Sequence, residues 1–149
     1  MKIYLAIKFH EDFSNRKLIE EILETLNKSG FETVVMARDY ENWGQIKFKP
    51  EELMKLTFKI TEESDLLLVE FSEKGVGLGI EAGYAYAKGK PIIVIAKYGS
   101  DISETMKGIS KEVIFYEKVE EIGEKIKIYI YWDANDDERI GYNRLWKIK

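Results

Sequence analysis

The sequence predicts a doubly wound α/β domain, Rossmann-like or flavodoxin-like, in which a five-stranded parallel sheet carries helices on both faces. Short β-rich runs alternate with stretches of helical periodicity along the chain. Residues 65–71 form a nearly unbroken apolar run, which is typical of a parallel strand covered on both faces. The length of 149 residues, 45% of them hydrophobic, suits one domain with its own core.

The first two strands and the helix between them form a βαβ unit. Residues 2–7 and 31–36 have β character. Between them, Ser14 is the predicted N-cap of a helix with apolar residues at helical spacing, and Gly30 is its predicted stop. A helix between two strands implies a right-handed crossover with parallel pairing, so the second strand is expected beside the first.

The middle of the chain begins with an irregular segment, residues 37–49, which we interpret as a functional loop. Pro50 is well placed in the first turn of a second helix that ends near Ser64. The apolar run that follows is then the third and central strand. A glycine-rich turn at residues 75–79 is expected to lead into a short helix over residues 80–88.

The smooth face of that short helix is predicted to pack closely on the sheet, because Gly79, Gly83 and Ala87 are spaced four residues apart. Residues 91–96 and 113–115 are the last two strands, and a final helix starts near residue 119. We therefore divide the chain into a domain over residues 1–131 and a tail over residues 132–149. The tail is a candidate subunit contact or a packing strap, and its aromatic and apolar residues are Tyr142, Leu145 and Trp146.

Composition excludes several classes of function. The chain has no cysteine and a single histidine, His10, so thiolate chemistry and histidine-rich metal sites are excluded. We expect neither a metal nor an organic cofactor. A net charge of −4 without a basic run argues against nucleic-acid binding. No apolar run could span a membrane, and we expect a cytoplasmic protein that acts on small molecules. The dominance of Lys and Glu among the charged residues fits a high-temperature organism.

Candidate site residues follow the strands, because ligands of open α/β sheets bind at the carboxyl ends of the strands. Glu81 is the foremost of them. It is predicted in the first turn of a helix, where the helix dipole would keep a carboxylate ionised and therefore nucleophilic. The residue pattern alone fits an ordinary first-turn surface glutamate equally well. Gly75, Gly77 and Gly79 can cradle a phosphate, admit a sugar close to the backbone, or only make a tight turn.

The segment GVGLGIEAGYAYAKGKP at residues 75–91 resembles the signature of the nucleoside 2-deoxyribosyltransferases and of the related 2′-deoxynucleoside 5′-phosphate N-hydrolases. Tyr4 in the first strand and Asp65 before the apolar strand fit the same layout. The resemblance extends from residue 1 to the final helix. It implies a retaining reaction in which Glu81 attacks C1′ of a 2′-deoxynucleoside, forms a covalent deoxyribosyl enzyme and passes the sugar to another base or to water.

The resemblance also assigns roles to other positions. It implies that Tyr4 orients Glu81 and that pockets are completed across the interfaces of a homo-oligomer, a dimer or larger. Two base-side acids of the transferases are missing, because their positions hold Gly75 and Thr57. Glu70 or Glu73 could substitute for them. Base recognition is therefore the part of the pattern that this chain does not match.

The region expected to bind the sugar 5′ end differs as well. Glu104 stands where the family places an Asn toward a 5′-hydroxyl or a Ser toward a phosphate, and it would repel a phosphate unless Ser103 or Ser100 turns inward. Lys8 and His10 occupy the stretch that binds phosphate in the hydrolases, and they are either anion contacts or solvated strand-end residues. Two aromatic residues of the loop could stack on a base or anchor the loop, namely Tyr40 and Trp43.

Three hypotheses follow. The first is an enzyme that cleaves the N-glycosidic bond of a 2′-deoxynucleoside and transfers the sugar to a free base. The second is a hydrolase of 2′-deoxynucleoside 5′-monophosphates. The third is a nucleoside or nucleotide binding module that has kept the fold without catalysis.

Overall fold

A computed structural model describes residues 1–132 of the chain. The strands are listed in chain order as β1 (Lys2–Ala6), β2 (Glu32–Val34), β3 (Leu66–Glu70), β4 (Ile92–Lys97) and β5 (Glu112–Tyr116). They form one sheet in the order β2-β1-β3-β4-β5, and every pair in it is parallel. The predicted five-stranded parallel sheet with a central apolar strand is confirmed. The proposed tail contact through residues 142, 145 and 146 lies outside the described residues.

Six helices connect or follow the strands in the described part of the chain. They are α1 (Arg16–Lys28), α2 (Met36–Asp39), α3 (Pro50–Glu63), α4 (Val76–Ala87), α5 (Glu104–Ile109) and α6 (Ile122–Trp132). A single 3₁₀ turn over Val119–Glu121 precedes α6. No helix within residues 1–132 has the length and apolar character needed to cross a membrane.

Two hydrophobic layers cover the sheet, one on each face. Apolar side chains of α1 and α6 pack against one face, and those of α3, α4 and α5 pack against the other. β3 is buried along its whole length, as expected for a strand that helices cover on both sides. Because side chains alternate along a strand, Tyr4 faces the α3 and α4 layer while its neighbours Ile3 and Leu5 face the α1 and α6 layer.

The start of α1 differs from the prediction. Its N-cap is Asn15 and not Ser14. The Asn15 side chain is tied to the preceding loop, where it accepts a hydrogen bond from the backbone N–H of His10 at 3.0 Å and donates one to the carbonyl of Lys8 at 2.5 Å. The predicted stop is confirmed, because Gly30 has a φ of +93° just beyond the helix.

The segment after β2 is more ordered than the sequence suggested. The prediction of an irregular loop over residues 37–49 is wrong in its first part, because α2 occupies residues 36–39. The Asp39 carboxylate accepts a hydrogen bond from the Val35 N–H at 2.9 Å, which ties the end of this short helix to its start. Three consecutive residues then adopt left-handed backbone angles, with φ values of 44° at Asn42, 55° at Trp43 and 84° at Gly44.

The glycine-rich segment is part of a helix, and the prediction of a turn at residues 75–79 is wrong. Gly75 is the N-cap and α4 begins at Val76. The prediction that small residues face the sheet is also wrong, because Gly79 and Gly83 are exposed and the buried residues of α4 are Leu78, Ala82 and Ala85. The sequence reading also missed α5, whose N-cap Ser103 accepts a hydrogen bond from the Met106 N–H.

The contact between α1 and α6 is close at one glycine. A Cβ atom built on Gly123 would lie 2.3 Å from the backbone carbonyl oxygen of Thr25 and 2.4 Å from the Ser29 hydroxyl oxygen. The Gly123 N–H also donates a hydrogen bond to the Thr25 hydroxyl at 3.3 Å. Only glycine therefore allows the two helices to approach this closely.

Candidate active site

The structure brings Tyr4 and Glu81 into direct contact. Tyr4 lies in the middle of β1 and Glu81 in the second turn of α4. The Tyr4 hydroxyl donates a hydrogen bond to the Glu81 carboxylate, and the Thr57 hydroxyl of α3 bonds to the Tyr4 oxygen. Burial, followed by the negative charge of Glu81, raises the pKa of Tyr4 well above its ordinary value. Tyr4 is therefore a permanent hydrogen-bond donor to the carboxylate.

The Glu81 carboxyl group sits in a poorly solvated position. Burial raises its pKa from 4.5 to about 7, the hydrogen bond from Tyr4 opposes this rise, and the charge of Glu41 adds to it. The expectation that a helix dipole keeps Glu81 ionised is wrong, because the residue lies beyond the first turn, where that effect has faded.

One oxygen of the Glu81 carboxylate is left for a ligand. The Oε2 atom is buried, although the residue as a whole is partly exposed, and it has no hydrogen-bond partner among residues 1–132. A buried oxygen without a partner is costly unless a bound group approaches it. A pKa near 7 also allows the carboxylate to be ionised at neutral pH, as a nucleophile requires.

Glu81 lines a cavity of about 570 Å³, a volume within the range of small-molecule sites. The walls come from the segment after β1, from residues 36–48, from α3 and from the start of α4. Most of the lining side chains are apolar, namely Ile7, Phe9, Phe13, Met36, Trp43, Ile46, Phe48, Leu53 and Met54. Such a surface suits the faces of a flat aromatic group such as a nucleobase.

Glu41 is a second carboxylate in the cavity, and the sequence reading missed it. Burial raises its pKa above the ordinary value, and its charge in turn raises the pKa of Glu81. Its backbone is fixed on both sides, since its N–H donates to the Met36 carbonyl at 3.0 Å and its carbonyl accepts from the Ile46 N–H at 2.9 Å. The sequence feature that could have revealed Glu41 is its position between Tyr40 and Trp43, in the segment interpreted as a functional loop.

The three glycines predicted to bind substrate separate in space. Gly77 lines the cavity. Gly75 lies beside the Lys8 side chain, where a Cβ atom would be 4.0 Å from the Lys8 Cδ. Gly79 faces outward from α4, with nothing within 4 Å of a Cβ at that position. Of the three, Gly77 is the one that borders the cavity.

Lys8 and His10 meet on the carboxylate of Glu73. Lys8 Nζ lies 2.5 Å from Glu73 Oε1, and His10 Nε2 lies 2.5 Å from Glu73 Oε2. The second ring nitrogen of His10 is 2.8 Å from the Ser14 hydroxyl. These pairings lower the pKa of Glu73 below its ordinary value. Glu73 is thus committed to an ion-pair cluster, and Lys8 is paired within the chain.

Trp43 anchors the loop after β2 and also borders the cavity. It is 8% exposed, its ring centroid is 5.9 Å from that of Phe9, and the Arg16 guanidinium lies 4.4 Å from the Trp43 ring centroid. These contacts anchor the loop, and Trp43 also forms part of the cavity wall. Tyr40, by contrast, packs against the cluster that contains Tyr4 and does not line the cavity.

Other predicted residues lie away from the cavity. Asp65 precedes β3 at the opposite edge of the sheet, where its carboxylate accepts a hydrogen bond from the Lys2 N–H at 2.8 Å. Ser103 caps α5, and the 88% exposed side chain of Glu104 pairs with Lys107 at 2.7 Å. Glu70, named as a substitute acid, is excluded from that role in this chain because it is buried on the other face of the sheet with the Tyr116 hydroxyl at 2.9 Å.

Within residues 1–132, no three acidic, histidine or cysteine side chains are grouped as a metal site would require. The chemistry that the described residues support is that of a carboxylate nucleophile in an apolar cavity. The Tyr4 hydroxyl donates a hydrogen bond to the Glu81 carboxylate, and the charge of a second carboxylate, Glu41, acts on it.

Comparison with known proteins adds relatives over most of the chain. No family model matches the sequence. A curated protein of Thermofilum pendens, named "Putative 2′-deoxynucleoside 5′-phosphate N-hydrolase 1", is 29% identical over 138 residues, covering 85% of this chain and 92% of the relative.

Solved structures resemble the chain over most of its length as well. A CMP N-glycosidase of Clostridium botulinum is 26% identical with a TM-score of 0.63, covering 87% of this chain and 99% of that protein. A 2-deoxyribosyltransferase of Bacillus psychrosaccharolyticus is 17% identical with a TM-score of 0.63, covering 83% of this chain and 90% of that protein, and it shows a shared fold. Over most of its length the chain is therefore similar to proteins named as a 2′-deoxynucleoside 5′-phosphate N-hydrolase and a CMP N-glycosidase, and it shares the fold of a 2-deoxyribosyltransferase.

Proposed function

We propose that this protein cleaves the N-glycosidic bond of a 2′-deoxynucleoside in two steps, with Glu81 as the nucleophile and Tyr4 as its positioning residue. The observation that carries the proposal is the Glu81 carboxylate, with one oxygen bonded to Tyr4 and the other buried without a partner among the described residues. The apolar cavity beside it offers space for a base. The relatives act on such bonds, as their names state.

The geometry supports the following steps. A Glu81 oxygen forms a bond to C1′ while the C1′–N bond breaks, and the electron pair of that bond leaves with the base. The positive charge that develops on the sugar ring is stabilised by the adjacent carboxylate. A free base or water then attacks C1′ from the vacated side as the bond between C1′ and the Glu81 oxygen breaks, and its proton passes to the expelled base or to solvent. The configuration at C1′ is therefore retained.

The experiment is a product analysis. Purified protein is incubated with 2′-deoxynucleosides, with and without a different free base, and the products are separated by chromatography. A new nucleoside that forms only when the second base is present identifies a transferase. Release of free base without an acceptor identifies a hydrolase. Absence of both products over a range of temperatures would favour the binding-module hypothesis.

Hydrolysis of a 2′-deoxynucleoside 5′-monophosphate is a second candidate, favoured by the name of the Thermofilum pendens relative. The same incubation with 5′-monophosphates tests it. The two candidates share the role of Glu81 and differ in the group carried on the sugar 5′ oxygen.

The pH dependence of the reaction is a prediction from the electrostatics of the site. Because the nucleophile must be ionised and the pKa of Glu81 is about 7, kcat/KM is expected to rise between pH 5 and pH 8 with a midpoint near 7. Initial rates in buffers of constant ionic strength measure this profile, and circular dichroism at each pH controls for unfolding. A rate that is flat or falls over this interval would contradict the assignment.

Replacing Tyr4 by phenylalanine is expected to move that midpoint upward and to lower kcat. The hydroxyl stabilises the ionised form of Glu81, so its loss allows the pKa of Glu81 to rise further. We expect roughly a fivefold or greater fall in kcat/KM at pH 7 that is partly recovered at pH 9, because a rise of about one unit in the pKa of Glu81 would lower its ionised fraction at pH 7 from about one half to about one tenth. An equal loss at both pH values would show that Tyr4 acts in another way.

A further inference from the structure

The charge lining the cavity is predominantly negative. Among the described residues that border it, Glu11, Glu41 and Glu81 carry carboxylates, whereas Lys47 is the one cation. Two of these carboxylates, Glu41 and Glu81, lie close enough for the charge of one to raise the pKa of the other. Like charges in a partly dry site repel strongly, so the cavity is poorly suited to a third anion.

Two cations, Lys47 in the cavity lining and Arg16 against the lining residue Trp43, already have partners within the chain. Lys47 Nζ lies 3.6 Å from the Glu11 carboxylate. The guanidinium of Arg16 lies over the Trp43 ring at 4.4 Å and pairs with Glu20 at 3.0 Å. Neither cation is therefore available to a ligand without breaking a contact within the chain.

The segment after β1 offers no free cation either. Ile7 and Phe9 of this segment line the cavity. The alternate residues, Lys8 and His10, both contact the carboxylate of Glu73 at 2.5 Å. One internal carboxylate thus holds both basic side chains of this segment. A phosphate dianion would have to displace Glu73 to reach them, and Glu73 would then remain as a nearby repulsive charge.

The negative charge of Glu41, by contrast, has no cation paired with it among the described residues. Its carboxylate makes no hydrogen bond or ion pair with any residue of the described chain, and the side chain is only partly exposed. Its backbone is held by two hydrogen bonds, to Met36 and Ile46, so the residue stays at the cavity wall. An unpaired carboxylate there attracts hydrogen-bond donors and repels anions.

We propose that this cavity selects nucleosides with a free 5′-hydroxyl over their 5′-monophosphates, and that Glu41 is the specificity-determining residue. The inference rests on the proposed function in one respect, namely that the ligand is a nucleoside. It assigns a substrate class different from the one in the name of the Thermofilum pendens relative. The buried Oε2 of Glu81, without a partner in the described chain, marks where the sugar would lie.

The experiment measures selectivity both with and without turnover. Values of kcat/KM for 2′-deoxyadenosine and for its 5′-monophosphate are determined for the wild-type protein and for Glu41→Gln. Calorimetric Kd values for the same two compounds are determined in the Glu81→Gln background, with and without Glu41→Gln. Glu51→Gln, which removes an exposed charge from the first turn of α3, is the control for net charge. Thermal melting confirms that each variant is folded.

We expect wild-type protein to favour the nucleoside by at least about tenfold, and Glu41→Gln to reduce that ratio severalfold by strengthening binding of the monophosphate. Glu51→Gln should leave the ratio unchanged. Equal use or preferential use of the monophosphate overturns the proposal while leaving the role of Glu81 intact. An unchanged ratio in Glu41→Gln overturns the assignment of Glu41. If neither compound is turned over, the proposed catalytic function fails, and the ratio of the two Kd values still tests the selectivity. If neither compound binds, both proposals fail.

Discussion

Glu81→Gln is expected to lower kcat/KM by at least about 10³-fold and to abolish base exchange, because the amide cannot form the bond to C1′ that replaces the C1′–N bond. The substitution keeps the size of the side chain and an oxygen that can accept the hydrogen bond from Tyr4. Binding of substrate should therefore persist. The measurement is the initial rate of base release or exchange, together with Kd in the same buffer.

The covalent intermediate gives a second readout of the same substitution. Wild-type protein that is quenched with acid during turnover should gain the mass of a deoxyribosyl group on the peptide that contains Glu81, and Glu81→Gln should not. Glu51→Gln is the matched control, since it removes an exposed glutamate that does not line the cavity. Turnover by Glu81→Gln within tenfold of the wild-type rate would disprove the nucleophile.

The stability of the Glu81→Gln variant separates loss of chemistry from loss of fold. Because the pKa of Glu81 is raised in the folded protein from 4.5 to about 7, its favourable contribution to stability is fully present below pH 4.5 and is lost as pH rises through 7. The wild-type protein thus bears the cost of a buried charge at pH 8. Glu81→Gln should unfold at an equal or higher temperature than the wild type at pH 8, so its inactivity would not reflect misfolding.

Gly123→Ala is expected to destabilise the protein by about 2 to 3 kcal/mol, although alanine is ordinarily the better helix former by about 1 kcal/mol. The added methyl group would lie 2.3 Å from the Thr25 carbonyl oxygen, which belongs to the backbone of α1 and cannot rotate away. The two helices must then separate, and apolar contacts between them and the sheet are lost. Urea denaturation at pH 7 measures the free energy of unfolding.

The control is the same substitution at Gly83. This residue lies inside α4, and a Cβ there meets no atom within 4 Å. Gly83→Ala should raise the free energy of unfolding by up to about 1 kcal/mol, as expected for an exposed helical site. Opposite signs at the two positions would confirm that the close approach of α1 and α6 decides the outcome. A gain in stability for Gly123→Ala would show that the helices are farther apart in solution.

The fold could be predicted because local patterns and topology agreed. The apolar run before Phe71 could only be a covered strand, and alternation of strands and helices left few arrangements of the sheet. The glycine-rich segment misled the prediction, since glycine is a poor helix former and the propensity of residues 75–79 favoured a turn. Packing of Leu78 and Ala82 against the sheet overrode that propensity and made the segment the first turns of α4.

The family resemblance predicted that Tyr4 lies against Glu81, and the structure places the two side chains together. The sequence could not show that Asp65 lies at the opposite edge of the sheet, because both ends of a buried strand carry polar residues. It also could not reveal Glu41. The orientation of that side chain depends on the short helix before it and on the left-handed turn after it, which tertiary contacts of Trp43 hold in place.

The cavity is built partly from regular elements of the core and partly from a segment outside the sheet, and this difference has an evolutionary consequence. Tyr4, Thr57 and Glu81 are carried by an interior strand and two long helices, whose positions the core determines. Glu41 and the opposite wall belong to a segment outside the sheet, anchored by a few contacts. Mutations in residues 40–48 can therefore change which substrates are accepted without moving the nucleophile. Lineages that share this scaffold are free to exchange substrates while they inherit one chemistry.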